Sequence, residues 1–197
     1  MEKRTLGRTG REVGVVGLGA WQLGGDWGTV DDAQARAVLS AAAAHGIDLV
    51  DTADVYGDGR SERFVGEALA RWPGTFVATK MGRRVEQRPE HYTLDNFRAW
   101  VDRSRRNLGV DTLDLVQLHC PPTPVYHDDA VFDALDTLVA EGRVRAYGVS
   151  VETCEQALAA IARPGVATVQ IILNCLRLKP LEEVLPAARE AGVGILA

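Results

Sequence analysis

Four side chains that can hold or transfer a proton occupy similar places along this chain. Asp51, Lys80 and His119 each end a short apolar run, and Tyr56 lies on the loop after the first of these runs. Such runs are typical of buried parallel strands, whose carboxyl ends form the rim that carries chemistry in an α/β barrel. We therefore expect the four side chains to meet at one rim. The alternative is that Asp51 caps the next helix and Tyr56 only covers its loop.

Together, these residue types can protonate an oxygen atom on which negative charge is building. A tyrosine hydroxyl has an ordinary pKa of about 10. A neighbouring ammonium, such as that of Lys80, favours the phenolate and makes Tyr56 a better proton donor. A buried lysine needs a carboxylate to keep its charge, and Asp51 can supply one. His119 can donate a hydrogen bond to a carbonyl oxygen and orient it.

The sequence shows no residue pattern that would attack a substrate directly. No Ser-His-Asp or Cys-His arrangement stands out, and no cluster of His, Cys and carboxylate residues has the spacing of metal ligands. The attacking species is therefore expected to come from a cofactor, and hydride fits this site. Gly17-Leu18-Gly19 does not match the dinucleotide-binding fingerprint, because Gln22 stands where the third glycine belongs.

Hydrophobic patterning and helix-breaking residues divide the chain into alternating strands and helices. A small hairpin is predicted at 5–13, where it could plug one end of the core. Strands are predicted at 15–21, 47–51, 75–80, 114–119, 144–150, 167–171 and 192–197, and helices at 31–45, 61–71, 94–108, 131–141, 155–162 and 180–190. Near-continuous apolar strands that alternate with helices predict a parallel sheet covered by helices.

The number of repeating units favours a closed barrel over an open sheet. Each crossover is expected to be right-handed, and glycine-rich phosphate turns typical of open nucleotide-binding sheets are absent. The predicted fold is α/β, a (β/α)8 TIM barrel that is incomplete, with about seven strands and an N-terminal β-hairpin. We expect residues 1–197 to form a single domain that lacks the eighth strand and the C-terminal loops. The alternative is an open sheet whose edge is covered.

Composition argues against several classes of partner and compartment. The net charge is −5 with acidic and basic residues interspersed, so no basic field is available for nucleic acid. No apolar run approaches the length of about 18 residues expected of a membrane span, and residues 1–5 lack the apolar start of a signal peptide. Cys120, Cys154 and Cys175 have no paired spacing, which favours reduced thiols and a cytoplasmic location.

Several stretches occur together in a way that resembles the aldo-keto reductase family. Asp51–Gly57 and Ser61–Leu69 resemble the family signature at the second strand. Arg103–Leu108 with Asp111 and Asp114–His119 resembles a second motif, and Glu141–Ser150 resembles a third. Gln170–Arg177 is similar to a bacterial branch of the family. The resemblance covers nearly the whole chain. It implies a (β/α)8 barrel that reduces aldehydes or ketones with NADPH.

The resemblance also implies a role for each residue of the predicted rim. It makes Tyr56 the proton donor and Lys80 the group that tunes it. It further implies that Asp51 pairs with Lys80 and that His119 positions the carbonyl group of a small-molecule substrate.

Cofactor contacts are implied by the same resemblance. Ser150 and Gln170 are expected to hold the nicotinamide carboxamide, and Val151 stands where many family members have Asn. The family segments that grip the pyrophosphate and the adenosine 2′-phosphate follow the seventh strand, after the last residue of this sequence.

Further candidate cofactor-binding residues are Gly19, Trp21 and Asp51. Glycine near the end of a strand lets a ligand or another backbone approach closely. Trp21 and Trp27 are expected either to form pocket walls or to pack within their loop.

Three hypotheses on function follow from the sequence. The first is an NADPH-dependent carbonyl reductase, and the complete set of four rim residues favours it. The second is a non-catalytic cofactor-binding or regulatory module on the same scaffold, since a fold does not fix a function. The third is an inactive, truncated product, which the missing eighth strand favours.

Overall fold

A computed structural model describes residues 1–25 and 28–197 of the chain. Within those residues, one antiparallel hairpin precedes a sheet of seven parallel strands that follow one another in chain order. Six α-helices connect or cover the strands of the described chain. Trp27, one of the two predicted pocket-wall tryptophans, lies outside the described residues.

The bounds of the elements are as follows. The hairpin comprises β1 (Lys3–Thr5) and β2 (Glu12–Gly14), and the parallel strands are β3 (Leu18–Gly19), β4 (Leu49–Asp51), β5 (Phe76–Met81), β6 (Leu113–His119), β7 (Val144–Val151), β8 (Val166–Ile171) and β9 (Gly194–Leu196). The helices are α1 (Asp32–Ala44), α2 (Arg60–Leu69), α3 (Leu94–Leu108), α4 (Asp129–Ala140), α5 (Cys154–Ile161) and α6 (Val184–Ala191).

Four of the six helices in the described residues begin at a capping side chain that the sequence carries at the right place. Asp31 accepts a hydrogen bond from the backbone of Gln34 ahead of α1, and the Gln34 side chain bonds back to Asp31. Thr93 caps α3, and Gly109 ends that helix in the left-handed conformation. These side chains and the glycine satisfy backbone groups that the helix ends leave free, so the ends are fixed locally.

Two predicted elements differ from the structure. The first parallel strand is shorter than the predicted 15–21, because Trp21–Gly24 form a 3₁₀ turn after β3. The predicted helix 180–190 is split into a 3₁₀ turn at Lys179–Leu181 and α6. Pro186 has no backbone N–H to bond to the preceding turn, so α6 begins two residues before it.

The hairpin closes the end of the sheet at which the parallel strands begin. Leu6 and Val13 form a buried apolar cluster with residues of four strands, namely Leu49, Phe76, Ala78, Leu115 and Leu196. Arg8 donates hydrogen bonds to four backbone carbonyl oxygens near α5, β8 and α6. The prediction that the hairpin plugs one end of the core is thus confirmed. The candidate site residues lie at the opposite end of the strands.

The sheet is curled but does not close within the described residues. In those residues β3 pairs only with β4, and β9 pairs only with β8. A cleft of about 1390 Å³ between these two edge strands is lined by residues that include Gly19, Asp51, Gln170 and Leu196. The incomplete seven-stranded barrel with an N-terminal hairpin therefore agrees with the prediction. Across the described ranges, no helix has both the length and the apolar composition needed to cross a bilayer.

Candidate active site

Strand register brings the predicted rim residues to one side of the sheet. Asp51 ends β4, Lys80 is the penultimate residue of β5, and His119 ends β6. His119 is aligned with Ser150 of β7, and Ser150 is aligned with Gln170 of β8. Parallel pairing without a gap between these strands places all five residues along one continuous rim.

Lys80 and Asp51 form the charged centre of the rim. The Lys80 ammonium donates to both carboxylate oxygens of Asp51 at 2.7 Å and to the carbonyl oxygen of Thr52 at 3.0 Å. The Lys80 side chain is 3% exposed and that of Asp51 is 24% exposed. A buried ammonium without a partner is strongly disfavoured, so this pair keeps Lys80 in place as a charged group.

Tyr56 lies directly beside this ion pair. The Lys80 ammonium approaches the Tyr56 hydroxyl oxygen at 3.4 Å. Trp21 stacks on the Tyr56 ring at 5.9 Å, and His119 meets the same ring edge-on at 5.9 Å between centroids. The predicted grouping of Asp51, Tyr56, Lys80 and His119 is therefore present in the geometry.

The loop that carries Tyr56 is held by short polar contacts and one glycine. The Thr52 and Ser61 hydroxyl oxygens lie 2.9 Å apart, and the Ser61 hydroxyl donates to the carbonyl oxygen of Ala20 at 2.7 Å. Gly57 has a φ of 56°, and a Cβ there would lie 2.2 Å from the carbonyl oxygen of Gly24. A side chain at this position would force the two loops apart, so glycine is required for the close approach.

The electrostatic environment determines the protonation states of Tyr56 and His119. Burial raises the pKa of Tyr56, and the Lys80 ammonium opposes that rise. Lys80 therefore acts in the predicted direction, but burial outweighs it and Tyr56 keeps its proton at neutral pH. Burial and then the charge of Lys80 lower the pKa of His119 to about 3. The imidazole is neutral as a result, and its buried Nδ1 has no hydrogen-bond partner in the described chain.

Three of the predicted cofactor-binding residues, Gly19, Asp51 and Gln170, line the cleft beside this rim. Ser150 is 9% exposed. The Gln170 amide oxygen accepts from Gln117 at 3.0 Å, and its amide nitrogen has no hydrogen bond within the described ranges. Gly19 is aligned with Asp51, and a Cβ at Gly19 would meet no described atom within 4 Å. A hydroxyl beside a free amide donor suits a carboxamide, so these residues fit a nicotinamide.

Sequence reasoning missed two residues that shape the same rim. Arg83 donates from Nε to the carbonyl oxygen of His119 at 3.2 Å. Gln87 donates to the carbonyl oxygens of His119 and Cys120 at 2.9 and 3.0 Å. The available signal was their position on the polar loop after Lys80, but that loop has no periodicity to indicate which side chains turn inward.

The sequence profile of the Aldo/keto reductase family matches residues 15–197. This chain belongs to that family. The aldo-keto reductase YhdN of Bacillus subtilis is 32% identical over 202 residues, which cover 100% of this chain and 61% of YhdN. The resemblance inferred from the motifs is thereby confirmed, including its bacterial character.

Solved aldo/keto reductase structures share this fold. The holo form of AKR11C1 from Bacillus halodurans has a TM-score of 0.87 and 31% identity, over 100% of this chain and 65% of that protein. A Klebsiella pneumoniae aldo/keto reductase in complex with NADP and acetate has a TM-score of 0.83 and 26% identity, over 100% of this chain and 68% of that protein. The chain spans about three fifths of the length of YhdN and about two thirds of these structures.

Proposed function

We propose that this aldo/keto reductase chain carries the reducing site of an enzyme that converts an aldehyde or ketone to an alcohol with NADPH. The observation that supports this most directly is the single ammonium of Lys80, which contacts the Asp51 carboxylate and the Tyr56 hydroxyl together. A buried ion pair costs desolvation energy, and its contact with a tyrosine hydroxyl is difficult to explain by stability alone.

In this proposal Tyr56 donates the proton that the carbonyl oxygen needs as it becomes an alkoxide. The Tyr56 hydroxyl is protonated at rest because burial raises its pKa. As negative charge moves onto the tyrosine oxygen during proton transfer, the Lys80 ammonium 3.4 Å away stabilises it. Asp51 keeps Lys80 charged and fixed in place, so that little reorganisation is needed in the transition state.

His119 orients the carbonyl group in the same proposal. A neutral imidazole donates one hydrogen bond without competing for the proton that Tyr56 delivers. The edge-on contact with the Tyr56 ring holds the two side chains at neighbouring positions. A carbonyl oxygen placed between them would accept a hydrogen bond from each.

The cofactor is proposed to be NADPH, which is the reduced form of the ligand named for the Klebsiella pneumoniae relative. When bound, its dihydronicotinamide supplies hydride to the carbonyl carbon. Ser150 and Gln170 would hold the carboxamide. Gly19 borders the open cleft, and Trp21 stacks on the Tyr56 ring. Residues 1–197 are proposed to fold as one domain, because the strands form a single sheet in the described residues.

The test is Tyr56→Phe, measured as NADPH oxidation in the presence of an aromatic aldehyde. We expect turnover to fall by about 10²- to 10⁴-fold, the range for loss of a general acid, while NADPH affinity changes little. The matched control is Tyr147→Phe, because the Tyr147 hydroxyl donates to Asp136 away from the rim. Retained turnover in Tyr56→Phe would refute the proton-donor role. NADPH binding without turnover in the parent chain would favour the non-catalytic module instead.

A further inference from the structure

We propose that Arg83 binds a carboxylate on the substrate, so that the preferred substrate is a carbonyl compound that carries a carboxylate group. The inference rests on the proposed function, since it concerns the substrate of the same rim.

The position of Arg83 is fixed from two directions. It follows Lys80 by three residues at the end of β5, and its Nε donates to the carbonyl oxygen of His119 at 3.2 Å. Gln87 ties the same loop to the carbonyl oxygens of His119 and Cys120 and donates to the Tyr92 hydroxyl at 3.2 Å. The guanidinium is therefore anchored on the backbone of His119 through one of its three nitrogens.

The two terminal nitrogens of Arg83 remain available to a ligand. Within the described residues, the nearest carboxylate is that of Glu152, at 4.0 Å from one terminal nitrogen and with a side chain 69% exposed. That distance is too long for a hydrogen bond and the pair is screened by water. The Arg83 side chain is itself 38% exposed, so a ligand can reach it from solvent. A guanidinium with two free donors side by side matches a carboxylate.

The neighbouring cations of the rim already have hydrogen-bonded carboxylate partners. Arg84 and Arg103 both bind the Asp58 carboxylate, at 2.7 and 2.8 Å. Lys80 is paired with Asp51 at 2.7 Å. Arg83 has no hydrogen-bonded carboxylate in the described residues, and its one guanidinium suits one carboxylate better than a doubly charged phosphate.

The charge of Arg83 also acts on the residues of the reaction. It lowers the pKa of both Tyr56 and His119, although burial is the larger influence on each. The Arg83 guanidinium contacts the carbonyl oxygen of His119 at 3.2 Å, so it lies next to a residue that such a ligand would touch. A carboxylate bound there would therefore sit on the same molecule as the carbonyl group between Tyr56 and His119.

The test compares binding of meta-carboxybenzaldehyde and its methyl ester to the chain by titration calorimetry. The parent chain should bind the carboxylate about tenfold or more tightly than the ester, as expected of a charge-assisted hydrogen bond. Arg83→Gln should abolish the preference, and Arg83→Lys should keep part of it. Arg84→Gln is the matched control and should retain it in full, because Arg84 is engaged by Asp58.

The outcomes separate a specificity role from a structural one. A merely structural Arg83 would weaken both ligands equally when replaced, and this result would overturn the proposal. Equal binding of both compounds by the parent, or binding of neither, would also overturn it. Reduction of the ester without any preference for the carboxylate would leave the reductase function standing. Preference in binding without reduction would refute the reductase function alone.

Discussion

Lys80 shows how one side chain links stability to chemistry at the rim. Its ammonium makes three close polar contacts, to the Asp51 carboxylate, to the carbonyl oxygen of Thr52 and to the Tyr56 hydroxyl. The first two contacts hold the ammonium in place, and the third would act in the proposed reaction. The sequence predicted this arrangement because a lysine and an aspartate at adjacent strand ends have few other ways to be buried.

Asp54 is a second buried ionisable group beside the rim, and no pattern in the sequence indicated its burial. It is completely buried, and neither of its carboxyl oxygens has a hydrogen-bond partner in the described part of the chain. Burial, together with the nearby Glu62 carboxylate, raises the pKa of Asp54 from 3.8 to about 7. The folded protein therefore favours the protonated acid.

Because the pKa of Asp54 is raised, we expect the free energy of unfolding to fall as the pH rises. The pKa of Asp54 is higher in the folded state than in the unfolded state. Protonated Asp54 therefore contributes its full stabilisation below about pH 4, and this contribution is lost as the pH rises to about 7. The shift corresponds to a loss of up to about 4 kcal/mol from this one group. Asp54→Asn should abolish most of that pH dependence, measured by urea unfolding at low and neutral pH.

The control for Asp54→Asn is the same change at Asp133, an exposed aspartate on α4. Asp133→Asn should leave the pH dependence of unfolding as it is in the parent. If Asp54→Asn and the parent lose the same free energy of unfolding between the two pH values, the prediction that buried Asp54 is protonated in the folded protein is wrong.

At the scale of helices and strands, the bounds that were predicted accurately are those marked by local sequence signals. The predicted helix 94–108 has the same bounds as α3, because Thr93 and Gly109 mark its two ends in the sequence itself. The contacts of Arg83 and Gln87 with His119 join residues 36 and 32 positions apart. They depend on the path of a polar loop, and no residue pattern encodes that path.

The geometry of the Tyr56 loop is sensitive to a single substitution. Gly57→Ala would place a Cβ 2.2 Å from the carbonyl oxygen of Gly24, at a φ of 56°. Gly10 has a φ of 66°, and a Cβ added there would meet no described atom within 4 Å. Gly10→Ala therefore isolates the cost of the backbone conformation, about 1–2 kcal/mol.

Gly57→Ala is expected to lower the free energy of unfolding by clearly more than Gly10→Ala, because the loop must also move. It should reduce turnover as well, since Tyr56 is carried by that loop. Chemical unfolding and NADPH oxidation of both variants measure this. Equal destabilisation by the two changes would show that the close approach to Gly24 does not hold the loop.

At the scale of the whole molecule, the sheet presents two edges that the sequence analysis anticipated. β3 and β9 face the cleft between them, and the cofactor candidates Gly19, Asp51 and Gln170 line that cleft. The count of seven strands followed from the alternation of apolar runs and helices. The length of β3 could not be predicted from that alternation, because its pairing depends on contacts with β4 rather than on its own residues.

Titration of the 197-residue chain with NADPH, followed by cofactor fluorescence, tests most directly whether these seven strands hold a working site. We predict saturable binding that weakens in Gln170→Ala, because this removes a proposed carboxamide contact. Gln156→Ala is the control, since Gln156 caps α5 instead. Saturable binding that only Gln170→Ala weakens would support the proposed cofactor site, and the absence of saturable NADPH binding to the parent chain would contradict it.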